Sequence, residues 1–409
     1  MHSKTRKINA IKNGRIIMDD LVVENKILLF NERILEWIEP TEIKTFGNIQ
    51  EYITKKYCVH PQDIEIIDAK GQFVSPGFTD IHIHGMGGFD VMDGTSQAIE
   101  NIGKLNCSSG VTSYLPTTMT QDTEKILSAF DTIQELMTHQ RGSNFKGARI
   151  LGVHMEGPFI SSTFKGAQDD QFVAQPNMKL VENHLNIIKV ITLAPELIGG
   201  IDFIKRVSTE SDIICSMGHT GASFEQALLG IKAGIKSATH MFNAMSALHH
   251  RDPGAVGAVL TSDIYFEMIA DTIHTHPAML SFVADIKGTD KMILVTDAMR
   301  ATCMKCGQYE LGGQKVTVTN ESARLADGTL AGSVLRMNQA IKNMVENTSY
   351  DLPTIINMAS ANPAKLIGCF AERGSISCGK YADITVFNDA FEISRTYVEG
   401  KLEFHKEEK

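Results

Sequence analysis

The chain has 409 residues, 43% hydrophobic and 21% charged, with a formal net charge of −9. That length accommodates one large domain and a smaller one, in a composition ordinary for a globular enzyme. The negative balance argues against nucleic acid or an anionic membrane as partner, and no run of about 18 apolar residues offers a transmembrane helix.

The N-terminus, Met1-His2-Ser3-Lys4-Thr5-Arg6-Lys7, is basic but has no apolar segment behind it. It does not read as a signal peptide. Seven scattered cysteines, an odd number, read as reduced thiols of the cytoplasm and not as a disulfide framework. Cys303-Met304-Lys305-Cys306 lacks the second pair or the nearby histidine that a tetrahedral metal site needs, and reads as an incidental loop.

In chain order, residues 8–12, 14–18, 26–30 and 34–38 are predicted as short strands separated by turn residues. The stretches 374–387 and 396–404 show the same texture, with glycine at the turns. Two β-rich flanks predict one small β-sandwich domain built from both termini, residues 1–75 plus 370–409, around a larger domain at 76–369. Within that larger part, eight short apolar runs are predicted as strands: 77–83, 111–116, 148–155, 188–193, 212–217, 237–240, 265–270 and 292–296. Helical stretches fill most gaps, as at 121–139, 221–233 and 277–286, and a helix at 352–366 leads back to the β-domain. Alternating strands and helices of this number predict an α/β fold, a (β/α)8 TIM-type barrel. A doubly wound open sheet is the alternative, but no glycine-rich dinucleotide loop follows a strand.

Metal-capable residues collect at the C-terminal ends of these runs. His82-Ile83-His84 closes the first, and alternation along a strand puts both imidazoles on one face. A lone His-x-His is often just two packed histidines. Here it is joined by His154-Met155-Glu156, Gly218-His219-Thr220, Thr239-His240, Asp271-Thr272-Ile273-His274 and Thr296-Asp297. In a barrel all these ends surround one mouth, where barrel active sites are built.

Together, His82-Ile83-His84, His154-Met155-Glu156-Gly157-Pro158-Phe159, Lys165-Gly166-Ala167-Gln168, Gly218-His219-Thr220, Thr239-His240-Met241-Phe242-Asn243-Ala244-Met245, Asp297 and Asp327-Gly328-Thr329-Leu330-Ala331-Gly332-Ser333 make the chain resemble the N-acetylglucosamine-6-phosphate deacetylases of the amidohydrolase superfamily. The resemblance runs from about Gly14 to Phe404. His-x-His alone would support only the superfamily; Glu-Gly-Pro, Phe-Asn-Ala-Met and Thr-Leu-Ala-Gly-Ser are more specific.

The resemblance implies a main metal site of Glu156, His219 and His240, holding zinc or iron(II). Some relatives lack the first-strand histidines and bind one metal. His82 and His84 are kept here, which implies a second metal bridged by Glu156, and so one or two per subunit. His154 is read as packing or support. Asp297 is implied as the general base and acid, which takes a proton from the attacking water and delivers it to the departing amine. The blander reading of Asp297 is a cap on the next helix.

Substrate-binding positions implied by the resemblance are Ala167, Gln168, Asn243, Ala244, Arg251, Asp271, Thr272, Ile273, His274, Leu330, Ala331 and Gly332. Relatives often carry histidine where Gln168 stands; an amide can donate a hydrogen bond but cannot act as a cation. Arg251 offers a planar fork for phosphate, against the plainer reading of 249–253 as a solvated loop. In the family some phosphate contacts cross a dimer interface, so a homodimer is expected. The expected reaction is hydrolysis of N-acetyl-D-glucosamine 6-phosphate to D-glucosamine 6-phosphate and acetate, in the cytoplasm. The rivals are the galactosamine epimer, a cyclic-amide hydrolase using a carbamylated lysine at the fourth strand end, and a scaffold that has lost activity.

Overall fold

Eight parallel strands form the barrel: Phe78–Ile83, Val111–Thr118, Val153–Glu156, Ile188–Leu193, Ile214–Met217, Ile235–Ala238, Tyr265–Ile269 and Met292–Val295. The computed structural model describes residues 7–140, 142, 145–320 and 322–407, so the basic stretch at 1–6 lies outside the described residues. The strands are buried almost throughout. One face meets the barrel interior and the other meets the helices, which is why they read as continuous apolar runs. The predicted third strand divides into Arg149–Ile150 and Val153–Glu156, with Gly152 between them at φ 149°.

Seven neighbouring pairs are joined by parallel ladders. The eighth seam, between the first and last strands, is closed differently. An isolated bridge links Ile83 to Ala298, and the Asp297 N–H donates to the His82 carbonyl at 2.9 Å. The buried Asp80 carboxylate accepts from Thr296 Oγ1 at 2.5 Å and from the His82 N–H at 3.3 Å. Burial pushes the Asp80 carboxyl up to about 7, against the pull of its hydrogen bonds to Thr296 and His82. A side chain thus staples the seam directly beneath the strand ends that carry His82, His84 and Asp297.

Helix boundaries follow their caps. Thr123–His139 starts where the Asp122 carboxylate accepts from the Glu124 N–H, and Phe224–Ala233 starts at the Ser223–Gln226 capping box. The helix predicted at 352–366 is two, Leu352–Ala359 and Ala361–Leu366. Pro363 has no N–H, and in one continuous helix its ring would meet the carbonyl of Ala359, so the chain breaks at Ser360.

Both termini build two further sheets. One orders the strands Ile34–Ile38, Ile27–Phe30, Ile8–Lys12 and Ile64–Asp68; the other orders Lys401–His405, Ile393–Val398, Ile384–Phe387, Phe73–Pro76, Arg15–Ile17 and Val22–Val23. Alternation assigns each residue its layer. Leu28, Ile16 and Val386 share the core between the sheets, whereas Ile17 and Phe387 join the core of the barrel. Ile27 and Leu29 face outward, under the helices Pro40–Ile43 and Ile49–Tyr57, which were not predicted. Gly400 turns the chain at φ 74°, and a Cβ there would lie 1.7 Å from the Asn31 carbonyl oxygen. Gly400→Ala is expected to cost at least about 1–3 kcal/mol through the backbone conformation alone. A urea midpoint equal to wild type would refute this.

The (β/α)8 barrel is therefore the fold, and the open-sheet alternative falls. An unpredicted three-stranded antiparallel sheet, Gly307–Leu311, Gln314–Val318 and Ala323–Arg324, follows the eighth strand and packs Leu311 and Val316 against Met119, Met299 and Ala331. No helix among the described residues is long and apolar enough to cross a membrane.

Candidate active site

His82, His84, Glu156, His219, His240 and Asp297 converge at the C-terminal mouth of the barrel. Glu156 Oε1 lies 3.1 Å from His219 Nε2 and 3.0 Å from His240 Nε2, and the two nitrogens are 3.1 Å apart. On the other side, Glu156 Oε2 lies 3.3 Å from His84 Nε2. His82 Nε2 lies 3.2 Å from His84 Nε2, 3.4 Å from Glu156 Oε1 and 3.6 Å from Asp297 Oδ1. Asp297 Oδ1 is 3.2 Å from His84 Nε2.

The backbone is bent to achieve this. His219, His240 and Asp297 take φ of 48°, 31° and 48°, and Phe242, Ala244 and Thr272 nearby are also positive. Such conformations are uncommon for these residue types and persist where the surroundings enforce them, often at functional sites. His219, His240 and Asp297 each lie two residues beyond the end of a barrel strand, where the chain turns the side chain inward. Asp297 caps nothing: the chain beyond it runs into the three-stranded sheet, and the next helix begins at Met337.

The donor set fits a divalent metal. Glu156, His219 and His240 form one buried group able to hold an ion, and His82, His84 and Glu156 form another. Ligands of a tetrahedral zinc ion at 2.0–2.2 Å sit about 3.3–3.6 Å from one another, close to the spacings seen here. Two imidazole Nε2 atoms facing each other at 3.1 Å are satisfied either by one ring donating its N–H to the other or by a cation that both lone pairs share. Two of the remaining nitrogens are braced, His219 Nδ1 donating to the Phe164 carbonyl at 3.0 Å and His84 Nδ1 to the Thr117 carbonyl at 3.1 Å, whereas His240 Nδ1 is buried without a partner.

Charge in the pocket is mutually stabilised. Burial raises the Asp297 carboxyl, but His82 and His84 outweigh it and hold it at about 2. Burial acts the same way on Glu156, and the imidazoles hold it well below the usual carboxylate range. Burial lowers His82, yet Glu267, Glu156 and Asp297 lift it to about 9. The carboxylates thus attract positive charge onto the ring nitrogens, a place a metal would take over from protons. His154 is different: burial and neighbouring His82 push it down to about 4. Both its nitrogens are engaged, with the Ile81 carbonyl at 2.8 Å and Thr192 Oγ1 at 2.7 Å, so it supports the barrel interior and has no lone pair to offer a metal.

A cavity of about 330 Å³ opens over these groups, within the range of small-molecule sites. Of the predicted substrate positions, Ala167, Gln168, Asn243, Ala244, His274, Leu330 and Gly332 line it. Arg251 does not; it is exposed, with Nη1 2.8 Å from His250 Nε2. Asp271, Thr272, Ile273 and Ala331 do not line it either. Asp271 acts through its neighbour, accepting from His274 Nδ1 at 2.6 Å and so fixing that ring. Ala331 packs beneath the three-stranded sheet. The Gln168 amide is held at both ends: Nε2 donates to Glu156 Oε2 at 2.6 Å, and Oε1 accepts from the Thr120 N–H at 2.7 Å. No lysine among the described residues lines the cavity, and Glu156 stands between the two groups of histidines where a carbamylated lysine would bridge.

A family model, the Amidohydrolase family, matches residues 73–402. The chain belongs to the amidohydrolase family. It is 41% identical over 407 residues to N-acetylglucosamine-6-phosphate deacetylase of Bacillus subtilis (strain 168), covering 97% of this chain and 98% of that protein. It is 32% identical over 350 residues to N-acetylgalactosamine-6-phosphate deacetylase of Escherichia coli O157:H7, covering 84% and 91%. The crystal structure of N-acetylglucosamine-6-phosphate deacetylase from Pasteurella multocida matches with a TM-score of 0.87 at 31% identity, over 97% of this chain and 99% of that one. The resemblance read from the motifs therefore holds, and this amidohydrolase is a metal-dependent hydrolase.

Several residues of the amidohydrolase site escaped the sequence reading. Thr163, Phe164, Met119 and Leu311 line the cavity from loops and from the unpredicted sheet. Glu267, fully buried on the seventh strand, accepts from His82 Nδ1 at 2.8 Å. Its signal was available: one carboxylate within an otherwise apolar strand, a residue type almost never buried without a partner.

Proposed function

We propose that this amidohydrolase removes the acetyl group of N-acetyl-D-glucosamine 6-phosphate, giving D-glucosamine 6-phosphate and acetate. The observation that carries the reading is the meeting of Glu156, His219, His240 and Asp297 at one cavity, in a chain whose near-full-length relatives bear that activity in their names. In this reading Glu156, His219 and His240 hold a divalent metal, zinc or iron(II), a choice favoured by the mixed nitrogen and oxygen donors. His82 and His84, with Glu156 between the two groups, hold a second. A cation bound there supplies Lewis-acid chemistry, making water more acidic and a carbonyl more electrophilic.

The chain's own residues do the rest. Asp297 takes the proton released as water attacks the acetamide carbon. It returns that proton to the nitrogen as the C–N bond breaks, so the amine leaves neutral beside acetic acid, whose own proton then passes to the amine or to solvent to leave acetate. Gln168 keeps Glu156 in place. Asn243, Ala244 and His274 face the phosphorylated sugar, with Leu330 and Gly332 as a wall. Arg251 serves phosphate only from a neighbouring copy, in a homodimer. The seven unpaired cysteines favour a reducing, cytoplasmic setting.

The galactosamine epimer is the second reading, favoured by the relative from Escherichia coli. The two phosphorylated acetylhexosamines should be assayed side by side for acetate, with metal measured on the same sample. We expect kcat/KM at least about tenfold higher for the glucosamine substrate, a difference of about 1.4 kcal/mol in barrier. A preference for the epimer would replace the reading, and no acetate from either would leave a scaffold.

A further inference from the structure

Glu267 sits on the seventh strand with no exposed surface. Its only ion-pair partner among the described residues is His82. A buried carboxylate is costly unless strongly bonded, and here a single oxygen makes both bonds. Oε2 accepts from His82 Nδ1 at 2.8 Å and from the His240 N–H at 3.2 Å, while buried Oε1 has no partner. His82 lies on the first strand and His240 two residues beyond the sixth, and the latter bond holds a residue at φ 31°.

The consequence for His82 is chemical. With a proton held on Nδ1, Nε2 is the nitrogen left to give its lone pair to a cation in place of a second proton, and it is the atom that faces His84, Glu156 and Asp297. A negative charge behind the ring also makes Nε2 a more basic donor. The tie to His240 reaches the other group of ligands through backbone alone.

We propose that Glu267 is a positioning residue that orients His82 and sets the affinity of the His82–His84 side of the site for a divalent cation. The proposal rests on the metal reading given above. Glu267→Gln tests it, because the side-chain shape and one accepting oxygen remain while the charge is lost. Metal-stripped protein should be titrated with Co2+, followed by visible absorption and equilibrium dialysis. We expect two equivalents in the wild type. In Glu267→Gln we expect one equivalent of unchanged affinity and a second weakened about 10–100-fold, as for other residues that support metal ligands. A purely structural role would lower thermal stability and leave both affinities alone.

Two equivalents with wild-type affinities in the variant would overturn the proposal by itself. A wild type that binds a single equivalent would also overturn it, and one that binds none would overturn the metal reading as well. Should the variant fail to fold, 15N NMR of the zinc-loaded wild type decides. His82 protonated on Nδ1 supports the proposal, and metal on Nδ1 overturns it.

Discussion

Asp297→Asn is expected to lower kcat by about 10²–10⁴-fold, the usual contribution of a positioned acid–base group, with metal content unchanged. Asn keeps the size of the side chain and tolerates left-handed backbone better than most residues, so φ 48° at this position is no obstacle to folding. What is lost is the capacity to take up and release a proton. Asp297 is 7% exposed and its carboxylate lies 3.2 Å from His84 Nε2, so bulk water cannot readily substitute for it. Steady-state kinetics with metal analysis on the same preparation checks this. Full activity would remove Asp297 from the mechanism, and loss of metal would make it a ligand.

Glu156→Ala should have the second large effect, because Glu156 belongs to both ion-holding groups. One oxygen faces His219 and His240, and the other faces His84 and accepts from Gln168. Without it the imidazoles keep their positions but lose the anion that offsets a cation's charge. Since residues that merely support ligands cost about 10–100-fold in metal affinity, removing a shared ligand should cost more than about 100-fold. The variant should therefore retain little metal after dialysis and release no acetate. Its melting temperature should also stop responding to added metal, because a ligand stabilises only the state it binds. A variant that melts higher with metal, as the wild type would, places the ion elsewhere.

Some elements could be read almost to the residue. Strands Ile8–Lys12, Ile34–Ile38 and Ile188–Leu193 match their predicted ends, because apolar periodicity and turn residues are local signals. The hairpin Gly307–Val318 also carries a local signal. Gly312-Gly313, at φ 57° and 85°, is the two-residue glycine turn that joins paired strands. Its strands are largely exposed and lack a clear apolar stripe, so the local signal there is confined to the turn. The break at Ser360 was signalled by Pro363.

The site divides in the same way. The residue types at strand ends, from His82 to Asp297, stand out in sequence because barrel chemistry is built there. The position of Arg251 could not be read, since a loop's direction depends on what it packs against, and neither could the embrace of Glu156 by Gln168. Sequence by itself determined the period of each element, the ends of its strands and the chemical groups placed at those ends, all set by neighbours within a few positions along the chain. Only the tertiary structure decided that Glu156 would stand between two pairs of histidines, that Glu267 would reach His82 from 185 positions away, and that Asp80 would fasten the last seam. These contacts arise when the sheet curls shut, and closure is a property of all eight strands together and of none of them alone.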